Sequence, residues 1–242
     1  DKEEFIKKYI EEKSAQNKIK YKKLGKNMGI AGNTNEALKM ATGDYIVLAD
    51  HDDVITQNAL YECAKAINET KCDCMYSDED KLDMDGGSLF DPHIDMLESV
   101  NYICHLFVVK KELVDIAGMF DAAYDGAQDY DFIFRVSENA KKIVHIPKVL
   151  YHWRCHMNST ASNPESKLYA FTAGEKAIRA HYLRVHPEIA IEKIEKGIDY
   201  GIYHTYFKIE KEPLISIIIP NKDHTQDLDV AIRSVYEKGR YK

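Results

Sequence analysis

Residues 45–53 of the chain read Tyr-Ile-Val-Leu-Ala-Asp-His-Asp-Asp, and they indicate the fold most clearly. Residues 45–49 form an apolar run with the length of a buried strand. In open α/β sheets, ligands bind outside the carboxyl ends of the strands, so this strand would deliver Asp50, Asp52 and Asp53 to a binding crevice. The stretch therefore predicts an α/β sheet with an acidic ligand site at its edge.

The acidic residues allow two interpretations. Asp50 and Asp52 point the same way if the chain stays extended, and their carboxylate oxygens suit Mg²⁺ or Mn²⁺ beside substrate phosphates. The alternative is a solvated acidic turn that caps the helix expected to begin near Thr56. We favour the metal site, because acids that directly follow a buried strand are a poor way to stabilise a fold.

The composition excludes several classes of function. The 242 residues include 45% hydrophobic ones, enough for one sizeable domain or two small ones. A net charge of −7 argues against nucleic acid as a partner. The longest strong apolar candidate, residues 214–220, has the length of a strand rather than of a membrane span. The five cysteines lack the spacing of a zinc site, so we expect them to be reduced, in a cytoplasmic protein.

Helices and strands alternate along much of the chain, which is typical of an α/β fold with a mostly parallel sheet flanked by helices. We interpret the acidic residues 78–80 as a solvated loop. The predicted strands lie at 19–24, 45–49, 74–76, 105–109, 143–146, 149–153 and 203–209.

Pro213 marks a predicted domain boundary, so that residues 1–212 form one domain and residues 213–242 begin another. The second part starts with an apolar strand at residues 214–220, which is of the parallel-sheet type. A helix with one apolar face follows this strand. The two elements together would make half of a βαβ unit.

Four segments in this order resemble the inverting family 2 glycosyltransferases, which have the GT-A fold. They cover about 130 residues, and their order is more specific than any one motif. The subgroup resembles bacterial enzymes that build O-antigen, capsule or rhamnan-type polysaccharides, often with tandem domains. The matching segments are residues 27–32 with Asn35 and Ala37, residues 41–53, residues 128–131 with Arg135, and residues 147–159.

The resemblance implies sugar transfer by a single displacement at the anomeric carbon. It implies that Asp129 is the general base, although an aspartate there could simply favour a helix amino terminus. Asp52 would bind the metal, Mn or Mg, with Asp50 at the ribose or the metal. Asp131 is expected to be a helix partner of Arg135.

Other site residues follow from the same resemblance. His152 and His156 are both candidates for a third metal ligand, and a buried, hydrogen-bonded histidine is the alternative for each. Arg154 would bind the diphosphate or form a surface ion pair. Gly29 and Asn35 belong to the segment expected near the nucleotide, with a simple turn as the alternative for the glycine.

The chain departs from the family at its start. Members open with an apolar strand and a second strand whose aspartate recognises the nucleotide base, and neither precedes Asp1. The chain therefore resembles an internal fragment that lacks the usual first strands. We expect residues 215–219 to fill the vacant sheet position, in the same molecule or in a neighbour as a strand-swapped dimer.

The sequence as a whole predicts metal-dependent, inverting transfer from a nucleotide-diphospho-sugar to a glycan or lipid-linked glycan. We expect the reaction to take place in the cytoplasm or at the inner face of the membrane. Peripheral attachment to the membrane would occur through the full-length protein. The alternatives are a non-catalytic domain of the same fold, acting as a scaffold or binding glycans, and a sugar nucleotidyltransferase.

Overall fold

The structure is a computed structural model that describes residues 2–14, 19–82, 88–89, 97–154, 168–198, 201–211 and 214–238. The chain divides into two compact units, Asp1–Tyr206 and Phe207–Lys242. Residues 212 and 213, where the sequence predicts a domain boundary, lie outside the described residues. That boundary stays a prediction.

Helices and strands alternate through the larger unit, as the sequence predicts. The helices are α1 (Lys2–Ser14), α2 (Gly29–Met40), α3 (Ala59–Thr70), α4 (Lys111–Ala117), α5 (Gln128–Asn139) and α6 (Leu168–Val185). The strands are β1 (Tyr45–Leu48), β2 (Val54–Ile55), β3 (Cys74–Leu82), β4 (Ser88–Leu89), β5 (Phe107–Lys110), β6 (Ile143–Arg154), β7 (Ile191–Lys196) and β8 (Tyr203–Phe207).

The main sheet has the order β1-β5-β3-β6-β2, with β4 paired to β3, and β7 and β8 form a separate two-stranded sheet. The α/β class is confirmed, but the prediction of a mostly parallel sheet is wrong. Only the β3–β6 pair is parallel among the described pairings, and the other four in this sheet are antiparallel. The reason is that β5 lies between β1 and β3 and runs against both. The alternation of helix and strand does not determine which strands are neighbours, and so it does not determine whether neighbouring strands are parallel.

The sheet has apolar side chains on both faces. Alternate residues of β5 divide between two clusters: Phe107 and Val109 pack with α2, α4 and α5, whereas Val108 packs with α3. This period of two is the ordinary consequence of a pleated strand. A third cluster joins α5 and α6 to Tyr203 of β8.

One predicted loop and one predicted strand need correction. Residues 78–80 continue β3 rather than forming a solvated loop, and they pair with β6 from Val149 to His152. Asp80 is buried there, because His152 lies opposite it and binds its carboxylate. Residues 19–24 are not a strand in the structure. Lys20 and Lys22 instead attach this segment to the end and side of α2.

The smaller unit contains α7 (Thr225–Lys238). Its residues 214–220, predicted to be a strand, have no regular structure, and Leu214 and Ile218 are 97% and 89% exposed. The structure describes no strand at residues 215–219, and their filling of the vacant sheet position in the same molecule stays a prediction. Apolar composition identifies a strand only if a partner strand supplies backbone hydrogen bonds. The strand-swapped dimer stays a prediction.

Candidate active site

The carboxylates that follow β1 lie together. One oxygen from each of Asp50, Asp52 and Asp53 can be chosen so that all three oxygens are within 4.8 Å of one another. Helix α3 begins at Ala59 and is preceded by Asn58, so none of these acids caps it. The interpretation of the cluster as a helix cap therefore has no support in the structure.

Strand β6 holds the acidic loop in place from below. The backbone N–H of Asp50 donates a 3.0 Å hydrogen bond to the hydroxyl of Tyr151. That hydroxyl donates to Oδ2 of Asp53 over 2.6 Å, and the backbone N–H of Arg154 donates to the other oxygen of Asp53 over 2.9 Å. Val54 pairs with β6 directly after the loop. Asp53 is thus the acid whose orientation the fold determines most strongly.

The charge around Asp50 is unusual for an aspartate. Burial raises the pKa of Asp50, His105 opposes this rise, and the negative charges of Asp53, Asp129 and Asp52 add to it. Because 66% of the side-chain surface of Asp50 is exposed, water limits the effect.

A buried histidine lies beside this cluster. Nε2 of His105 is 3.8 Å from Oδ2 of Asp50, and the imidazole ring stacks on Tyr151 with 4.7 Å between ring centroids. The backbone N–H of His105 donates to Glu79 over 3.1 Å. His105 therefore lies at the acidic corner of the site.

Asp129 lies in the first turn of α5, where the helix dipole favours a negative charge. Asp129 also accepts hydrogen bonds from two side chains outside α5, which a position at a helix terminus does not require. The side-chain amide of Asn101 donates to Oδ2 of Asp129 over 3.0 Å, and the thiol of Cys104 donates to the same oxygen over 3.6 Å. The carboxylate is therefore held in one orientation by a segment outside its own helix.

The acidic cluster is chemically suited to a divalent cation. Three clustered carboxylates are a donor set that Mg²⁺ or Mn²⁺ accepts. Nδ1 of His152 contacts the buried carboxylate of Asp80, and a metal-binding histidine commonly uses one nitrogen on a carboxylate in this way. His152 lies outside the group of three carboxylates. His156 lies outside the described residues.

The other predicted site residues have contacts of their own. Gly29 begins α2 with a φ of +76°, and a Cβ there would lie 2.9 Å from Asp125. The amide of Asn35 both donates to and accepts from the backbone of Phe120. These contacts give Gly29 and Asn35 packing roles, and their nucleotide contacts stay predictions. The residue Arg154 is exposed, and the described contact is that of its backbone.

The prediction for Asp131 is confirmed. Its buried carboxylate accepts from Nε of Arg135 over 2.9 Å, and that guanidinium also donates to the carbonyl of Ala117 over 2.6 Å. Sequence reasoning missed the roles of Tyr151 and Cys104, and it placed Asp80 in a solvated loop. The sequence gives little indication of the role of Tyr151, because this residue resembles an ordinary core residue. Only its hydroxyl contacts the site.

Residues 2–100 match the family described as Glycosyl transferase family 2. Over this range, which is less than half of the 242 residues, the chain is similar to that family. The matched range includes α2, β1 and the acidic loop, whereas Asp129 and β6 lie beyond it.

Two curated relatives extend the similarity to most of the chain. It is 36% identical over 217 residues to "Uncharacterized protein y4gI" of Sinorhizobium fredii, covering 86% of the chain and 24% of the relative. It is 32% identical over 214 residues to "O-antigen biosynthesis protein RfbC" of Myxococcus xanthus, covering 86% of the chain and 16% of the relative. The chain thus spans a quarter or less of these proteins.

Solved structures support the GT-A-like fold. The S. aureus TarS 1-349 complex with UDP-GlcNAc matches with a TM-score of 0.56 at 20% identity, over 74% of this chain and 55% of TarS 1-349. The complex with UDP matches with a TM-score of 0.55 at 19% identity, over 76% and 53%. Among the described helices of the chain, none combines the length and hydropathy that crossing a bilayer requires.

Proposed function

We propose that the protein transfers a sugar, with inversion, from a nucleotide-diphospho-sugar to a glycan or lipid-linked glycan in a reaction that depends on Mn²⁺ or Mg²⁺. One observation carries the proposal: Asp50, Asp52 and Asp53 cluster directly after β1, while a segment outside α5 holds the carboxylate of Asp129 in one orientation. A family 2 domain with this arrangement has both parts that the reaction needs.

The acidic cluster and Asp129 have different roles in this proposal. Asp52 and Asp50, with Asp53 fixed beside them, would bind the cation, and His152 would be the further ligand. The cation, when bound, neutralises charge on the departing diphosphate. Arg154 would add paired hydrogen bonds to the same phosphates. Gly29 and Asn35 remain proposed neighbours of the nucleotide.

Asp129 is the proposed general base. Its carboxylate would accept the proton of the attacking acceptor hydroxyl while the bond from the anomeric carbon to the diphosphate breaks on the opposite face. A base must reach within hydrogen-bond distance of that hydroxyl, and it is effective only if its orientation is held. The hydrogen bond from Asn101 provides such an orientation.

The biological role is proposed from the relatives. The printed name of the Myxococcus xanthus relative concerns O-antigen biosynthesis, which supports a role in bacterial surface polysaccharide synthesis. The described cysteines Cys63, Cys72, Cys74 and Cys104 are free, which supports a cytoplasmic location, with membrane attachment through other parts of the full-length protein. We also propose that residues 213–242 begin a following tandem domain.

The experiment is a thermal-shift panel on the full-length protein with UDP-, GDP- and dTDP-linked sugars and the free nucleotides, with and without Mn²⁺. A nucleotide at 100 times its Kd should stabilise the protein by about 2.7 kcal/mol. Stabilisation should require Mn²⁺ and be lost with EDTA. A scaffold domain would show no such dependence, and a nucleotidyltransferase would also produce nucleotide sugar from a sugar phosphate. The absence of any metal-dependent shift would overturn the proposal.

A further inference from the structure

Two side chains from one loop converge on a single oxygen of the proposed base. Asn101 and Cys104 both precede β5, whereas Asp129 lies on α5. The amide of Asn101 donates to Oδ2 over 3.0 Å, and the thiol of Cys104 donates to Oδ2 over 3.6 Å. Within the described part of the chain, no hydrogen bond to the other oxygen, Oδ1, is found. Oδ2 of the carboxylate is thus held by two donors, whereas Oδ1 can accept a hydrogen bond from a substrate.

The amide of Asn101 is poorly suited to a packing role. Its Oδ1 is buried and has no hydrogen-bond partner among the described residues. A buried carbonyl without a partner costs roughly 1–3 kcal/mol, a cost that an apolar side chain of similar size would avoid. The half of the amide that does form a hydrogen bond is the N–H that reaches Asp129. The contact with the base is therefore the feature that an apolar replacement would lose.

Cys104 can donate a hydrogen bond to Asp129 because its thiol stays protonated. Burial raises the pKa of its thiol well above the ordinary value, and the charge of Asp129 adds to this rise. The thiol is therefore protonated at neutral pH and keeps its hydrogen for the carboxylate. A thiol is a weak donor, and 3.6 Å is a long contact. Asn101 is accordingly the stronger of the two.

We propose that Asn101, assisted by Cys104, is a positioning residue for Asp129. By holding Oδ2, the two donors present Oδ1 to the acceptor hydroxyl. As the new bond forms between the acceptor oxygen and the anomeric carbon, the hydroxyl proton passes to Oδ1, and the diphosphate leaves with the electron pair of the bond that breaks. This inference rests on the proposed function, because it assigns Asp129 the role of base.

The kinetic test uses Asn101→Ala in the full-length protein, with the nucleotide sugar that gives the largest Mn²⁺-dependent thermal shift. Release of nucleoside diphosphate is followed as the turnover signal. We expect kcat to fall about 10- to 100-fold with the donor KM unchanged, since a misplaced catalytic group costs rate rather than donor binding. In an Asp129→Asn background, the same substitution should cause no further loss. An additive loss, or a loss seen only in the donor KM, would overturn the proposal.

Matched variants separate the hydrogen bond from the shape of the side chain. Asn101→Asp keeps the shape but replaces the donor with an acceptor, so it should be as slow as Asn101→Ala. Cys104→Ser keeps a donor and should exceed Cys104→Ala in kcat. Asn139→Ala is the control, since Asn139 is exposed and its amide binds only the backbone of Arg135 among the described residues. Wild-type turnover by Asn101→Asp would contradict the proposal.

Urea unfolding tests the contact even in a protein without turnover. Asn101→Ala and Asp129→Ala should lower the unfolding midpoint by less together than the sum of their separate effects, because each removes the same hydrogen bond. Additive shifts would overturn the inference. If the shifts of the variants are coupled but the wild-type protein neither binds nor turns over a nucleotide sugar, the Asn101–Asp129 contact is supported and the proposed function is rejected.

Discussion

The hydroxyl of Tyr151 donates a 2.6 Å hydrogen bond to Asp53 and accepts a 3.0 Å hydrogen bond from the backbone N–H of Asp50. One phenol from a fully buried residue of β6 thereby fixes both ends of the acidic loop. The clustered carboxylates repel one another in the absence of a cation, so a neutral donor beneath them is an effective way to hold them together. The order of the acidic corner depends on the strand below it.

Tyr151→Phe removes this hydroxyl and leaves the N–H of Asp50 without its partner. We expect a loss of about 1–3 kcal/mol in the free energy of unfolding, because a partly buried backbone N–H and a carboxylate oxygen lose their hydrogen bonds. Mn²⁺ affinity should fall about 10-fold, as with other residues that orient metal ligands. Urea denaturation and Mn²⁺ titration measure the two effects. Tyr61→Phe is the control, because Tyr61 is 68% exposed, and equal behaviour of both variants would contradict the role of Tyr151.

Asp52→Asn should weaken metal binding without unfolding the protein. The side chain of Asp52 is 40% exposed, so the substitution changes charge at the surface of the site rather than in the core. We expect Mn²⁺ affinity to fall at least about 10-fold, since a neutral amide is a weaker ligand for a hard cation than a carboxylate. Isothermal titration calorimetry measures the affinity. Asp44→Asn, outside the cluster, is the matched control, and an unchanged Mn²⁺ affinity in Asp52→Asn would remove this residue from the metal site.

Asp129→Asn should retain the donor and lose turnover. The amide cannot accept the acceptor proton as the carboxylate does, and general base catalysis contributes about 10²- to 10⁴-fold. Donor binding should persist in the thermal-shift assay, while release of nucleoside diphosphate falls by that factor. Asp115→Asn, on the exposed side of α4, should match the wild type. Retained turnover in Asp129→Asn would assign the base elsewhere.

Gly29→Ala should destabilise the start of α2. The φ of +76° disfavours any side chain, and the added Cβ would lie 2.9 Å from the carboxylate of Asp125, which also accepts from the N–H of Ala31. We expect a loss of about 1–2 kcal/mol, from left-handed backbone strain. Chemical denaturation measures it. Gly25→Ala, where a Cβ meets nothing within 4 Å, should change stability little. Equal effects would show that neither the backbone conformation of Gly29 nor its contact with Asp125 is the cause.

Glu36 should contribute stability only above acidic pH. Hydrogen bonds from Lys22 and then Lys39 lower the pKa of Glu36 from 4.5 to about 2. A lowered native pKa means that the stabilising contribution is complete above pH 4.5 and is lost as the pH falls through about 2. The difference in urea midpoint between the wild type and Glu36→Gln should therefore shrink between these pH values. A difference independent of pH would contradict the ion pairs.

The strongest sequence signals were local. The apolar run before Asp50 and the carboxylates after it predict a strand that ends at a ligand site, and a strand with that ending is found. Asp131 and Arg135, four residues apart on α5, form the predicted pair because helical spacing brings them together. Such features depend on periods of two or about four residues, which can be read directly from the chain.

Contacts between distant segments could not be read in this way. Residues 78–80 look like a solvated acidic loop, yet pairing with β6 places Asp80 in the interior against His152. Residues 214–220 look like a buried strand, yet they are irregular where no partner strand supplies hydrogen bonds within the described residues. Burial and pairing belong to the whole fold, and composition alone does not determine them.

The sequence by itself determined the α/β class, the strand that ends in acids and the family to which the resemblance points, because each is carried by residues close together in the chain. Tertiary structure alone decided that β5 runs between β1 and β3, that Tyr151 lies under the acidic loop, and that Asn101 and Cys104 hold Asp129. These contacts join residues 25 to 98 positions apart. They exist only once the sheet brings those segments together.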